Sequence, residues 1–420
     1  MLIVRPGLSP RFKPGTVAAS LAGVWGSLAA NITFLSRYSI VDASTLDKKT
    51  VEIQAWIIIT GLLITSALTA LVNHRYYGLG FQSDDFVEFY AAGKLAGTGH
   101  LYDYQVIHDL EIKYHPGILT LPFLRLPIEA WMMKPLSFLP FPAARVLWFV
   151  ISSIAAVLCV LLWPTGTVAT RAALAAWFLP FTNVVICGHD VVFFLLLSGI
   201  ALRLFLNQRE FAAGLVIGCC VFKYHLGLGL FVYLLAARKW RTIGAASLSA
   251  AIIVASSFVF EGPLWFAQYR AALASPVADL GGFTQPNIRG LLSRAAMGLG
   301  PEILVSLIFL IGTAIACRKI QPRTGISVAL ALGLLVGHHA FQYDLVLALP
   351  LLMELWVAGR RWIKAPLLYP PLYELPYLLG LRAWAFFATQ IIIVVCIALG
   401  MIALLNLRTH DSWRPLQQED

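Results

Sequence analysis

The sequence predicts an all-α, polytopic membrane protein, and three observations predict it. Hydrophobic residues fill 59% of the 420 positions, and mean hydropathy is +0.78. Charged residues make up only 12%, about half the share in an ordinary soluble domain. The apolar residues run in long stretches rather than in the ~10-residue alternating segments of a membrane β-barrel. Roughly 10–12 transmembrane helices fit into the chain at ~20 residues each.

Three parts follow in order. Residues 1–54 read as a cytoplasmic or interfacial segment, or a weak first span. Arg5, Arg11 and Lys13 precede a stretch over 16–35 that Gly, Ser, Thr and Asn dilute, a pattern that only loosely imitates a signal peptide. Residues 55–405 form the transmembrane domain, and 406–420 a tail. The first confident span is 55–73. The outer loop 74–141 is long and mixed. Within it, Ser83 reads as a helix N-cap, no proline interrupts 84–96, and Gly97 and Gly99 supply a stop. On that helix Asp84 and Asp85 fall in the first turn, where the macrodipole favours an ionised carboxylate. Phe86, Phe89 and Tyr90 share a stripe that can lie on the lipid or on neighbouring spans, on a short helix at the membrane surface. Pro122, Pro127, Pro135, Pro140 and Pro142 then punctuate an amphipathic stretch that also lies against the membrane.

Further spans are expected at 143–163, 170–187, 190–206, 210–222, 225–237, 241–260, 302–318, 324–338, 344–358 and 383–405. The pair on either side of Lys223 is short, which suggests tilted or broken helices lining a cavity. A second mixed loop, 261–300, divides the bundle.

Lys and Arg outnumber Asp and Glu by 31 to 21, a net charge of +10. The excess sits in short loops, so it reads as a topology signal; no nucleic-acid-binding motif accompanies it. Arg238-Lys239-Trp240-Arg241, Arg318-Lys319 with Arg323, and Arg360-Arg361 with Lys364 are expected on the cytoplasmic side. Counting crossings from these clusters puts the 74–141 loop, Gly188-His189-Asp190, Lys223-Tyr224-His225, the 261–300 loop and His338 through Asp344 together on the opposite face. The six cysteines form no CxxC pair and read as small core residues, with neither a disulfide framework nor a metal site.

Several residues on that face could carry chemistry, and each has a plain structural reading beside it. Asp85, with Asp84 next to it, is either a helix-terminal carboxylate or a general base. One carboxylate suffices for an inverting sugar transfer when the leaving group is already good. Lys223 lies in an apolar run, where a lysine costs about 3 kcal/mol on the mild insertion scale. It either snorkels or binds a phosphate, with His225 beside it. His189 and Asp190 read as a buried hydrogen-bonded pair or as pocket residues, as do Tyr343 and Asp344. Glu88 joins the same pocket, and His339 and Arg289 are phosphate candidates. Several polar caps on one face, with a lysine among them, favour a site.

These residues resemble glycosyltransferase family 87, the polyprenol-phosphate-mannose-dependent α-mannosyltransferases of the GT-C superfamily. The resemblance rests on Asp85-Phe86, Tyr90-Ala91-Ala92, Gly99 and Leu101-Tyr102; on Pro135-Leu136, Leu139-Pro140 and Leu147-Trp148; on Gly188-His189; on Gly214 through Lys223; and on His339 with Tyr343-Asp344-Leu345. It covers roughly 55–360. His189 stands where the family usually has Gln, and Gly337-His338 where it has Ser-Pro. The resemblance implies a GT-C-type bundle in a bacterial inner membrane, with its active site on the non-cytoplasmic face. It implies a polyprenyl-phosphate sugar donor, a glycolipid or glycan acceptor, Asp85 as base, and Lys223, His225, His339 and Arg289 around the donor phosphate. No metal or other cofactor is implied. The alternative class is a lipid-linked-sugar flippase or secondary transporter. That reading calls for repeated halves or a polar path to the other face.

Overall fold

The computed structural model describes residues 48–77, 85–116, 120, 122–275, 285–358 and 384–406. The expected segment 1–47, Ser83, Asp84 and the tail 407–420 lie outside the described residues, which contain helices and turns but no strand. Helix α1 (Lys48–Tyr77) leads to α2 (Phe86–Leu95), α3 (Tyr104–Tyr114) and α4 (Pro127–Ser137), which form a layer over one end of the bundle. The bundle resumes with α5 (Phe141–Leu162), α6 (Val168–Trp177), α7 (Leu179–Ile186), α8 (Val191–Leu206), α9 (Glu210–Cys219), α10 (Tyr224–Ala236) and α11 (Trp240–Glu261). Helix α12 (Trp265–Leu273) returns to the layer. Then come α13 (Ile288–Arg294), α14 (Leu299–Ala316), α15 (Pro322–Val336), α16 (Leu349–Val357) and α17 (Trp384–Asn406).

The chain is therefore an all-α polytopic membrane protein, but its crossings are of two kinds. Thr50–Leu71, Phe141–Leu162, Trp240–Glu261 and Leu299–Ala316 are each long and apolar enough to cross a bilayer. Their outward faces are apolar: Leu63, Val146, Ile252 and Ile308 are exposed, as a lipid-facing surface requires. The others are interrupted or short. Helices α6 and α7 meet at a 74° bend, where Pro180 follows Phe178. Helix α8 has 16 residues and α15 has 15, or ~24 Å at 1.5 Å per residue. The expectation of 10–12 full crossings therefore exceeds what the described residues show. Five stretches pass on length and composition, or six with the bent pair. Helices α8 and α15 are shorter than a full crossing, and α6 and α7 are parted by their bend.

Glu210–Ala236 is apolar over 27 residues, yet it is not one rod. A straight helix of that length spans ~40 Å. The Thr242 hydroxyl nevertheless donates to the Glu210 carbonyl at 3.2 Å, and Lys239 Nζ reaches the Glu210 carboxylate at 2.5 Å. Six residues beyond Ala236 bridge at most ~20 Å, so the chain must double back between α9 and α10. The reversal is at Cys220–Lys223, a 3₁₀ turn ending at Lys223 with φ −120° and ψ 54°. Helix α9 then packs on α11, and α10 packs on α15. In the second pair the backbones nearly touch. A Cβ on Gly229 would run into the Ala329 carbonyl, and one on Gly333 into that of Leu226.

The two ends of the bundle differ. At one end Arg171 donates to the carbonyls of Val160 and Gly166, Arg203 to that of Leu162, and Arg323 pairs with Glu354 at 3.0 Å. At the other end sits the layer of α2, α3, α4 and α12. Of the two surfaces open to its stripe, helix α2 uses the neighbouring helices: nine of its ten residues are buried. Phe86, Phe89 and Tyr90 pack on Met133, Ala144 and Trp148, and Ala92 on Leu101, Ile107 and Ala130. Gly97 and Gly99 do end the helix, with φ of +80° and +79°, where glycine carries no Cβ penalty.

The chain reversal can be checked directly. With Cys219→Ser to remove the exposed native thiol, Glu210→Cys and Lys239→Cys are expected to cross-link through a short bis-maleimide in most molecules. Failure to cross-link would mean that α9 and α10 run on as one rod.

Candidate active site

Asp190 lies at the centre of the site. Its position follows from the chain: α7 ends at Ile186, Gly188 turns with φ +70°, and α8 begins at Val191. The turn is held from outside by Trp148, whose indole donates to the Gly188 carbonyl at 2.7 Å. The Asp85 N–H donates to the Cys187 carbonyl at 2.9 Å. Asp190 Oδ2 accepts from Arg125 Nη1 at 2.5 Å. Its Oδ1 lies 3.2 Å from Lys223 Nζ and 3.1 Å from His189 Nδ1. One carboxylate thus joins three segments of chain: the loop before α4, the α7–α8 turn, and the apex between α9 and α10.

The rest of the cluster grows from these three. Lys223 is 3% exposed and lies 3.4 Å from Asp344 Oδ1. Asp344 Oδ2 in turn accepts the Phe341 N–H at 2.8 Å. Lys223 is therefore matched by two carboxylates inside the protein and does not open onto a bare cationic cradle. Arg125 lies 3.8 Å from Glu88 and 3.6 Å from Glu129, and its guanidinium sits over the Phe89 ring. Lys223 and Arg125 each approach His189 Nε2 at 3.5 Å. The Tyr343 ring stacks on His189, centroids 3.7 Å apart.

Four carboxylates (Glu88, Glu129, Asp190, Asp344) face two permanent cations (Arg125, Lys223). A buried charge without a partner is destabilising by several kcal/mol, so an excess of acids favours protonation of some of them. Burial pushes the Glu88 carboxyl up to about 7, against the opposing pull of Arg125. Burial also raises Glu129, with Arg125 again opposing. His189 is held well below the usual imidazole range by burial, then by Lys223 and Arg125. A neutral ring is the form that two cations at its Nε2 allow.

A second, more exposed cluster lies beside the first. Arg289 Nη1 donates to the His338 carbonyl at 2.9 Å and lies 3.5 Å from His339 Nδ1. His338 Nδ1 is 2.8 Å from Glu302. Buried amides clamp this loop pair: Asn287 donates to the Gly337 carbonyl at 2.6 Å, and Gln285 accepts the Ala340 N–H at 3.2 Å. Asn287 also caps α13 through the Gly290 N–H. His225 stands between the clusters and feels the charges of Lys223 and of His339.

The structure thus brings Glu88, His189, Asp190, Lys223, Tyr343 and Asp344 into one cluster, and Arg289 with His339 into its neighbour. Asp85 occupies the N-cap position of α2. Its Oδ2 is shielded from solvent, and its charge acts on Tyr343. Asp84 lies outside the described residues. Sequence reasoning passed over Arg125 and Glu129, the two charges that complete the cluster. They sit in Leu-Arg-Leu-Pro-Ile-Glu-Ala, an i, i+4 pair of opposite charge inside an apolar, proline-bounded stretch, and that is the signal that could have flagged them.

The sequence matches the family model of glycosyltransferase family 87 over residues 123–350, more than half of the chain. No curated protein and no solved structure matches it. The matched region contains Arg125, Glu129, the α7–α8 turn, Lys223, Arg289 and His339 through Asp344; Asp85 and Glu88 precede it.

The raised carboxyl of Glu88 makes stability depend on pH. A native pKa of about 7, against 4.5 for the free side chain, means that the folded state holds this proton more tightly than the unfolded one. Its stabilising effect is full below ~4.5 and is lost as pH rises through ~7. Thermal unfolding, followed by tryptophan fluorescence, is expected to fall in midpoint over that window. Glu88→Gln is expected to flatten the fall, and an unchanged slope would show that Glu88 is not the titrating group.

Proposed function

The chain belongs to glycosyltransferase family 87 and is a membrane glycosyltransferase; on that premise we propose that it moves a sugar from a polyprenyl-phosphate donor to an acceptor hydroxyl, with inversion. By the resemblance the sugar is mannose and the acceptor a glycolipid or glycan. The membrane is a bacterial inner membrane, and the reaction takes place on its non-cytoplasmic face. The observation that supports this reading best is the convergence of the first outer loop, the α7–α8 turn, the α9–α10 apex and the 337–344 segment at one end of the bundle.

In this reading Asp85 is the general base. It takes the proton of the acceptor hydroxyl, whose oxygen attacks the anomeric carbon. The bond from that carbon to the phosphate oxygen breaks, and the lipid phosphate leaves with the bonding electrons. A phosphate leaves readily, so no second carboxylic acid is required. Asp84, next to it in sequence, joins it in the proposal. Arg289 and His339 meet the phosphate first, because they are less buried than Lys223. Arg289 offers the planar, bidentate donor set that phosphate oxygens prefer. His225 and Lys223 stand behind them. A phosphate drawn toward Lys223 competes with Asp190 and Asp344, which would loosen the cluster as the donor binds. His189, Tyr343 and Glu88 shape the pocket between base and phosphate. No metal ion enters this reading.

Asp85→Asn is expected to lower transfer by ~10²–10⁴-fold, the usual contribution of a general base, with the thermal midpoint of the protein unchanged. A labelled polyprenyl-phosphate sugar and mass analysis of the product would measure it, and near-normal turnover would remove Asp85 from the role. Arg289→Ala is expected to raise the donor KM roughly tenfold, the loss of a charge-assisted contact of about 1.4 kcal/mol. The acceptor KM should stay in place; a selective effect on the acceptor would reassign Arg289.

A further inference from the structure

Outside the charged cluster the structure has an open recess of about 490 Å³ within the outer layer, between the segment joining α2 to α3 and α12. Its walls carry His100, Tyr102, Asp103 and Tyr104 from the turn between α2 and α3, and Gln268 and Ala271 from α12. The recess is a built feature. Gln268 donates across it to the Gly99 carbonyl at 3.2 Å, His100 and Asp103 pair at 3.8 Å, and Asp103 caps α3 by accepting the Gln105 N–H at 3.1 Å. The Tyr102 hydroxyl donates to the Arg125 carbonyl at 2.7 Å. That bond ties the floor of the recess to the loop that carries Arg125 into the charged centre.

We infer that this recess is the docking site for an uncharged sugar ring of a glycolipid acceptor; the inference rests on the transferase reading above. Three observations lead there. First, the volume falls in the range of small-molecule pockets and is open, as a site for a transient, extended substrate needs to be. Second, the chemistry is that of polyol recognition. Phenol rings offer flat faces, while an amide, a carboxylate and an imidazole offer both donors and acceptors. Among the described residues neither Lys nor Arg lines the recess, and Asp103 would repel a phosphate, so the donor's phosphate fits at Arg289 and not here. Third, the segment that forms the wall also carries exposed apolar side chains suited to a lipid interface. Gln268, Ala271, Ala272 and Ser275 face the recess, while Leu264, Phe266 and Leu273 are exposed elsewhere on the same segment. An amphipathic helix of this kind lies in the lipid interface, where the head group of a glycolipid is found.

The test reads binding rather than turnover. The full chain in lipid nanodiscs, free of glycoside detergent, is titrated with octyl glucoside and octyl mannoside below their micellar range, and with octyl phosphate and methyl glucoside as controls. Ala271→Trp fills the recess without removing a contact, and Gln268→Ala removes one donor. The expected result is saturable binding of an octyl glycoside that Ala271→Trp abolishes and Gln268→Ala weakens about fivefold, the value of one hydrogen bond. Thermal midpoints matching the wild type would show that both variants fold. Glycoside binding unaffected by either folded variant would overturn the inference. So would variant-sensitive binding of octyl phosphate alone, and so would methyl glucoside binding as tightly as its octyl counterpart. The two readings fail separately. Glycoside binding in a chain that transfers no sugar from any lipid donor would sink the transferase reading. Efficient transfer with no glycoside bound at the recess would sink this one.

Discussion

The ion pair between Arg125 and Asp190, at 2.5 Å, is the contact on which the rest of the architecture depends. Arg125 belongs to the outer layer and Asp190 to the bundle. Neither is stable alone in a low-dielectric interior, and removing one partner of such a pair typically destabilises by 3–5 kcal/mol. Once Asp190 is in place it also fixes Lys223, and Lys223 fixes Asp344. The α7–α8 turn, the apex between α9 and α10, and the start of the 342–348 turn are thereby brought to one point. The aromatic packing of Phe86, Tyr90, Phe141 and Trp148 around them excludes water and makes the charge matching obligatory.

The same principle separates the two ends of the bundle. At the end away from the outer layer, Arg171 and Arg203 bind backbone carbonyls where α5 gives out, and Arg323 pairs with a single glutamate, Glu354. Cations there are in excess and serve to close helix ends, as positive charge does at a helix C-terminus. In the charged cluster at the other end carboxylates outnumber Arg125 and Lys223, and burial raises the Glu88 and Glu129 carboxyls, the direction that eases the imbalance. The first arrangement is inert. The second can exchange protons and, in the proposed reaction, can exchange one anion for another.

Much of this was legible in the sequence, because the physics of a bilayer is simple. Long apolar runs had to be helical, and each expected span falls on helix, though 170–187 is split by the bend between α6 and α7 and 344–358 begins in a 3₁₀ turn. Lys223 announced itself as a lone charge in an apolar run, and the brevity of its flanking helices foretold the turn there. Gly97 and Gly99 foretold the end of α2. What was hidden depended on contacts between distant segments. Arg125 and Glu129 sit in a proline-rich stretch with no periodicity to read, and nothing local shows that Asp190 lies opposite. The extent of the burial of α2 was hidden too, although Gly93, on the same face as Phe86, Phe89 and Tyr90, is small enough for α4 to pack against the helix; a Cβ there would meet the Met133 carbonyl at 2.8 Å. Hydropathy alone does not distinguish a full crossing from a short or bent one, such as α8, α15 or the α6–α7 pair.

Those shortened helices have a geometric consequence. Helices α8 and α15 have 16 and 15 residues, ~24 Å at most where a hydrocarbon slab is ~30 Å thick; a helix of that length that starts at one surface ends short of the other, which in the proposed reaction sets Asp190 and Gly337 beneath the plane of the phospholipid esters. An amphiphile approaching this centre is not hoisted into water to meet the protein. Its polar end sinks instead into a dip floored by side chains, while its tail stays among its neighbours. Depth, as much as side-chain chemistry, then selects which molecules can enter.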